Sequence, residues 1–92
     1  MTDFLEQMTQ KTIQIRYFAS VREVLGSGET LLTGAATLQE LRDELIARGE
    51  PHAGALARGK AVRMALDKVM SNEAAALAEG SEVAFFPPVT GG

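Results

Sequence analysis

The residues with the clearest potential for chemistry close the sequence, which ends in Phe85-Phe86-Pro87-Pro88-Val89-Thr90-Gly91-Gly92. An α-carboxyl has a pKa of about 3.5, so at neutral pH it is ionised and a poor electrophile. It becomes an acyl donor only after another enzyme converts it to an acyl-adenylate, from which sulfur or an amine can displace AMP. Glycine suits this chemistry because no Cβ crowds the carbonyl and the chain fits a narrow channel. We therefore predict that the Gly92 carboxylate is the reacting group.

The residues before Gly92 are of types that project a chain end away from a domain. Proline has no N–H and a fixed φ, so Pro87 and Pro88 cannot extend a sheet and favour stiff, extended chain. The six residues 87–92 span at most roughly 20 Å, about the depth of an enzyme cleft. We predict a flexible C-terminal tail over 87–92 that delivers Gly92 to a partner.

The other side chains offer no second site for chemistry. The sequence has no cysteine, which removes thiol nucleophiles, disulfides and sulfur ligands for a metal. His52 is the only histidine, and we interpret it as a solvated loop residue. Gly26-Ser27-Gly28 resembles part of a phosphate loop but lacks its lysine and long helix, so a turn is favoured. No metal site is expected, and the acids of the longest predicted helix form a solvated face: Glu40, Asp43 and Glu44.

Composition and charge indicate one small domain without a nucleic-acid or membrane surface. Of the 92 residues, 46% are hydrophobic and 23% charged, which suffices for one modest core. A net charge of −3 without a basic run argues against binding to nucleic acid or to an anionic membrane. Residues 1–10 carry Asp3 and Glu6 and no continuous apolar stretch, so we expect a flexible extension and no secretory signal. The absence of cysteine fits a reducing compartment, and a cytoplasmic location is expected.

Hydrophobic periodicity predicts a β-hairpin interrupted by a short helical segment. Residues 12–18 alternate, with Ile13, Ile15 and Tyr17 on one face, as in a half-buried strand. Residues 19–25 place apolar side chains at helical spacing before Gly26, which predicts a short helix or turn. Residues 29–33 then form the hairpin partner of the first strand.

One long helix is predicted by a capping box at Thr37-Leu38-Gln39-Glu40, in which Thr37 and Glu40 satisfy free N–H groups. Gly49 is the expected stop of this helix, and Pro51 follows it. Arg42 is expected to point outward with the neighbouring acids. An apolar stripe covers the opposite face and requires a sheet to pack on: Leu38, Leu41, Leu45 and Ile46.

The remaining elements complete an α+β fold. Strands are predicted at 61–66, 69–70 and 82–86, with Asp67-Lys68 as a turn. This order predicts a β-grasp domain over 11–86, in which the main helix crosses a mixed sheet of four to five strands. The first and last strands are then parallel neighbours at the sheet centre. Alternation in the last strand places Val83 and Phe85 in the core and Phe86 on the other face.

Residues 82–92 resemble the C-terminal signature of the small subunit of molybdopterin synthase (the MoaD family). That family is the ubiquitin-like sulfur carrier of molybdenum cofactor biosynthesis. The likeness includes Tyr17-Phe18-Ala19-Ser20-Val21-Arg22-Glu23, the helix at 37–46 and Leu77-Ala78-Glu79-Gly80, and covers about residues 13–92. A Gly-Gly end is shared by all ubiquitin-like carriers, whereas the Phe-Phe-Pro-Pro run is much more specific. The sequence departs from the family at Asp67-Lys68, where asparagine is common.

By this resemblance, an E1-like adenylyltransferase would use ATP to adenylate Gly92, and a sulfur-donating protein would convert it to a thiocarboxylate (1-thioglycine). The tail would then enter the large subunit of molybdopterin synthase and donate sulfur to cyclic pyranopterin monophosphate, forming the molybdopterin dithiolene. The chain would be the small subunit of this sulfurtransferase, in a heterotetramer, with no bound cofactor and no catalytic side chains of its own. The implied partner-binding residues are Phe86, Pro87, Pro88, Val89, Thr90 and Gly91.

Three other interpretations use the same tail. The chain could be a sulfur carrier for thiamin or tRNA thiolation, which shares the carboxylate chemistry and differs only in its partner. It could be a ubiquitin-like modifier that forms isopeptide bonds with target lysines. It could also be a β-grasp binding module with an inert tail. The Phe-Phe-Pro-Pro run favours the molybdopterin synthase interpretation over a sulfur carrier for another product.

Overall fold

A computed structural model of the protein describes residues 10–88. Within them the chain forms five strands and three helices. In chain order these are β1 (Lys11–Tyr17), α1 (Ala19–Leu25), β2 (Gly28–Thr33), α2 (Leu38–Ile46), α3 (His52–Leu56), β3 (Arg63–Leu66), β4 (Val69–Ser71) and β5 (Glu82–Phe86). The predicted extension at 1–10 falls almost wholly outside the described residues, as does most of the predicted tail.

The five strands form one mixed sheet in the order β2-β1-β5-β3-β4. β1 pairs with β2 and β3 pairs with β4 in antiparallel hairpins, as predicted. The first and last strands are parallel neighbours, with Ile15 aligned to Val83 and Tyr17 aligned to Phe85. β3 flanks β5 on its other side, so β5 is hydrogen-bonded along both edges. The predicted α+β, β-grasp arrangement is confirmed.

The core lies on one face of this sheet because the strands alternate as predicted. Ile13, Ile15 and Tyr17 from β1 and Val83 and Phe85 from β5 are at most 2% exposed. The stripe on α2 packs against them through three residues that are fully buried: Leu38, Leu41 and Leu45. No helix covers the other face of the sheet in the part of the chain that the structure describes.

α2 begins with the predicted capping box. The Thr37 hydroxyl accepts a hydrogen bond from the Glu40 N–H at 3.2 Å, and the Glu40 carboxylate accepts one from the Ala36 N–H at 3.0 Å. The helix ends at Ile46, three residues before the predicted stop at Gly49. Gly49 instead turns the chain toward α3, with a φ of +88° that favours glycine.

The predicted outward orientation of Arg42 is wrong. Arg42 is 5% exposed, and its guanidinium donates to the carbonyl oxygens of Leu56 at 2.7 Å and Ala57 at 2.9 Å. The Leu56 carbonyl ends α3 and has no helical N–H to accept from, and the Ala57 carbonyl that follows it also accepts from the Lys60 N–H. The long side chain of Arg42 thus ties the end of α3 to α2. Burial lowers the pKa of Arg42, and the nearby charge of Glu73 opposes this shift.

Two other expectations need correction. The strand predicted from Ala61 begins at Arg63, because the Val62 N–H donates to the Lys60 carbonyl in a tight turn and cannot join the sheet. His52 begins α3 and is not a solvated loop residue: its side chain is 19% exposed and its ring packs edge-on with the ring of Tyr17.

Among the described residues, no helix has the length and apolar character needed to cross a membrane.

Candidate functional site

β5 holds the last described residues of the chain against the core. Val83 and Phe85 are fully buried, and the Phe85 ring stacks on Tyr17 with 6.0 Å between ring centroids. The Phe85 carbonyl accepts a hydrogen bond from the Phe18 N–H at 3.0 Å. Because β5 is bonded along both edges and packed beneath, the chain leaves the domain at Phe86 from a rigid position.

Phe86 lies on the opposite face of β5 from Phe85 and is partly exposed, as the alternation predicts. It is aligned with Arg63 of β3. Pro87 and Pro88 follow as non-strand, partly exposed residues. The prediction that the two prolines end the strand is therefore confirmed.

The reacting group predicted from the sequence is not placed by the structure. Gly92 lies outside the described residues, and so do three of the predicted partner-binding residues: Val89, Thr90 and Gly91. The structure places the other three, Phe86, Pro87 and Pro88, together at the point where the chain leaves the sheet. We call these three residues the tail root.

Phe18 is a residue beside the tail root that the sequence interpretation did not assign. It follows β1, is 44% exposed, and its N–H donates to Phe85, directly before Phe86. Val24, on the neighbouring helix α1, is 54% exposed. The sequence offered one signal for Phe18: it continues the outward-facing positions of β1. Exposed apolar side chains next to a projecting chain are typical of a contact surface.

The start of β5 is also held in place, by the turn between β3 and β4. Asp67 and Lys68 have φ values of +50° and +70°, as a two-residue hairpin turn requires. The Asp67 carboxylate accepts from the Glu82 N–H at 2.9 Å, and the Asp67 N–H donates to the Glu82 carbonyl at 2.8 Å. The sequence predicted the turn, but its bonding to β5 is a finding of the structure. Asp67 thus anchors the strand that carries the tail.

A charged cluster supports the core beneath the tail root. Glu29 of β2 accepts two hydrogen bonds from Arg48, at 2.8 and 2.9 Å, and one from the Tyr17 hydroxyl at 3.3 Å. His52 lies 3.8 Å from the same carboxylate. The hydrogen bonds from Arg48 hold the pKa of Glu29 below its usual value, although burial opposes the shift. Burial, followed by the charge of Glu29, raises the pKa of Tyr17.

This cluster is structural in character. Every member is paired, and Tyr17 connects it to Phe85 through ring stacking. The predicted solvated acids of α2 are exposed, as expected, and Asp43 accepts from Arg58 at 2.7 Å. Within residues 10–88, no group of three histidine or carboxylate side chains converges to hold a metal ion. The three residues of the tail root carry no titratable side chain.

The mixed sheet with its parallel central pair, crossed by α2, defines the ubiquitin-like β-grasp class. Solved structures of this shape include the HVO 2177 protein of Haloferax volcanii, with a TM-score of 0.73, 26% identity and coverage of 91% of this chain and 89% of that one. Small archaeal modifier protein 1 of the same organism matches with a TM-score of 0.64, 25% identity and coverage of 86% and 99%. The complex of subunits 1 and 2 of molybdopterin-converting factor from Helicobacter pylori 26695 contains a match with a TM-score of 0.58, 26% identity and coverage of 88% and 99%.

The chain belongs to the ThiS family, whose model matches residues 15–92. It is 38% identical over 81 residues to the molybdopterin synthase sulfur carrier subunit of Escherichia coli K12, covering 87% of this chain and 99% of that one. It is 36% identical, with the same coverage, to the subunit of the same name from Haemophilus influenzae Rd. The family resemblance predicted from the tail and the Phe18 region is thus confirmed.

Proposed function

We propose that this protein is the sulfur carrier subunit of a molybdopterin synthase and that Gly92 carries the sulfur. The observation that supports this most strongly is the likeness to two molybdopterin synthase sulfur carrier subunits over nearly their whole length. The structure adds a physical reason, because β5 is hydrogen-bonded along both edges and two prolines end this strand directly before the last residues of the chain.

The proposed chemistry takes place at the Gly92 carboxylate in three steps. A carboxylate oxygen attacks the α-phosphorus of ATP on an E1-like adenylyltransferase, which releases pyrophosphate and leaves an acyl-adenylate. Sulfur delivered at the sulfide level by a sulfur-donating protein then attacks the acyl carbon, AMP leaves, and a thiocarboxylate remains. On the large subunit, this sulfur attacks a side-chain carbon of cyclic pyranopterin monophosphate and displaces an oxygen substituent from it. Water then hydrolyses the acyl–sulfur bond, which leaves the sulfur on the pterin and returns the Gly92 carboxylate.

In this proposal the chain positions the Gly92 carboxylate and supplies no acid–base group. The tail root carries one aromatic ring and two prolines, with no titratable side chain, so the large subunit supplies proton transfer. This chain is accordingly the small, sulfur-donating subunit of the enzyme. A complex between two subunits of molybdopterin-converting factor among the related structures supports a large-subunit partner, and we propose the heterotetramer for this chain.

Partner contact is proposed for the tail root, for Phe18, and for Val89, Thr90 and Gly91. Phe86 is partly exposed and Phe18 is 44% exposed, and the Phe18 N–H donates to the carbonyl of Phe85, the residue directly before Phe86. Aromatic residues that become buried at the centre of an interface contribute most of its binding energy. Phe86 is the proposed main anchor because it directly precedes the tail.

Intact mass spectrometry tests the first half of the proposal. After co-expression with the E1-like enzyme and a sulfur source, the chain should gain the mass difference between sulfur and oxygen. The gain should disappear in a variant without Gly92. An unchanged mass, under conditions that activate a known carrier, would refute every sulfur-carrier interpretation of this chain.

A second candidate function is that of a protein modifier. It is favoured by the match to small archaeal modifier protein 1, at 25% identity. In this function the acyl-adenylate or a thioester would be attacked by a lysine amine and not by sulfur. Peptide mapping of cellular proteins for lysines joined to the C-terminal peptide of this chain separates the two functions, since sulfur transfer leaves no such mark. Because Lys68 is the last basic residue of the sequence, trypsin would leave residues 69–92 on the target lysine.

A further inference from the structure

A small groove opens beside the tail root. It has a volume of about 220 Å³ and lies between α1 and the segment that leads into β3. Pro87 forms part of its wall. Its other lining residues include Val21, Val24, Ala55, Lys60 and Val62.

The pairing of β3 with β5 explains why this groove borders the tail. The two strands are antiparallel, and Arg63 is aligned with Phe86. Residues before Arg63 therefore run back alongside residues after Phe86, which brings Val62 and Lys60 next to Pro87. A protein that grips the chain at Pro87 must also face the groove.

The size and lining of the groove indicate what it accepts. Ligand pockets usually measure roughly 300–1,000 Å³, so this volume suits a single side chain better than a small-molecule ligand. Val21, which is 5% exposed, lies within the groove, and Val24, which is 54% exposed, lies at its edge. These lining residues favour an apolar occupant.

The charge at the edge of the groove indicates which kind of partner residue lies next to it. Lys60 is exposed, lines the groove and, among the described residues, forms no ion pair. Four other described cations also form none, but they do not line the groove: Lys11, Arg22, Arg63 and Lys68. An unpaired lysine beside an apolar groove, in a chain of net charge −3, complements a carboxylate on a partner.

We infer that this groove binds an apolar side chain of the large synthase subunit, next to an acidic residue that pairs with Lys60. This inference depends on the proposed function for the identity of the partner. The groove adds a second attachment point beside the inserted tail. Two separate contact points fix the orientation of the domain on its partner better than one contact point does.

Calorimetric titration of the large subunit with four variants tests the groove. Val24→Asp places a charge in it, and Lys60→Glu reverses the charge at its edge. The matched controls are Leu32→Asp, at a 60% exposed position on β2 near the opposite end of the sheet, and Lys68→Glu, in the β3–β4 turn. Thermal melting of each variant shows that the fold is retained.

We expect Val24→Asp and Lys60→Glu each to weaken binding by about tenfold or more, and the two controls to change it by less than about twofold. The Lys60→Glu effect should shrink at high salt, since surface charges are screened. If all four variants and the unmodified chain bound with equal affinity while sulfur transfer stayed intact, the groove would not be a binding site, and the proposed function would still stand. If the unmodified chain did not bind the large subunit at all, both the groove proposal and the proposed function would be refuted. If Val24→Asp fails to fold, the affinity of Lys60→Glu for the large subunit, compared with that of Lys68→Glu, tests the groove proposal.

Discussion

Replacement of Phe85 by alanine should destabilise the domain far more than the same change at Phe86, its neighbour in β5. Phe85 is fully buried and stacks on Tyr17, so its removal leaves a cavity at the sheet centre. Truncation of a buried phenylalanine costs about 3–5 kcal/mol, a large part of the roughly 5–15 kcal/mol that stabilises a whole domain. At about 4–8 °C per kcal/mol for a domain of this size, the melting temperature should fall by at least about 12 °C.

Phe86→Ala is the matched control, because it removes the same atoms from the opposite face of the same strand. Phe86 is partly exposed, and we expect its loss to cost less than about 1 kcal/mol of stability. Binding should show the reverse order. If Phe86 is the anchor of the interface, its truncation weakens binding to the large subunit by roughly 30-fold, equivalent to about 2 kcal/mol.

Circular dichroism melts and urea titrations measure the stability of both variants, and calorimetry below both melting temperatures measures their affinity. Equal losses of melting temperature would contradict the assignment of Phe85 and Phe86 to opposite faces. If Phe86→Ala bound the large subunit as tightly as the unmodified chain, Phe86 would not be the anchor, whatever its stability.

Three further predictions concern the tail, the charged cluster and the buried arginine. Deletion of Gly92 should abolish sulfur transfer and leave the melting temperature unchanged, since a chain end contributes little to the core; a clear loss of stability would refute this. Glu29→Gln should cost about 1 kcal/mol at pH 7 and less in acid. The reason is that Glu29, with its pKa lowered by Arg48, adds stability that is present above its unfolded pKa of about 4.5 and is lost as the pH falls through its folded pKa. Melts across that range check the sign, and equal pH profiles for the two proteins would contradict it. Arg42→Met should cost about 1–3 kcal/mol because it leaves the Leu56 carbonyl without its side-chain donor and removes one of the two donors to the Ala57 carbonyl, whereas Arg58→Met, at an exposed ion pair, should cause no comparable loss in a urea titration.

The fold was predictable from the sequence wherever the signal was local. Alternation in β1 and β5, the capping box at Thr37 and the turn at Asp67 each depend on residues within a few positions of one another. The parallel pairing of β1 with β5 followed from the order of the elements. The tail was identified in the same way, from eight consecutive residues.

The features that the sequence did not predict depend on contacts between distant segments. Arg42 lies beside the apolar stripe of α2, but its burial requires carbonyl oxygens 14 and 15 residues away. His52 packs on Tyr17 of β1 only because α3 returns to the sheet. The groove beside Pro87 combines α1, α3 and the segment before β3, which no local pattern connects.

The central claim, that sulfur held at Gly92 becomes the sulfur of the product, is tested most directly by an isotope-transfer measurement. Chain bearing an isotopically labelled thiocarboxylate at Gly92 would be mixed with the large subunit and cyclic pyranopterin monophosphate. Because a dithiolene contains two sulfur atoms, the account predicts labelled product, with two chains returned to the carboxylate form for each molecule formed. A labelled thiocarboxylate that stays on the chain, or a product without label, would contradict it.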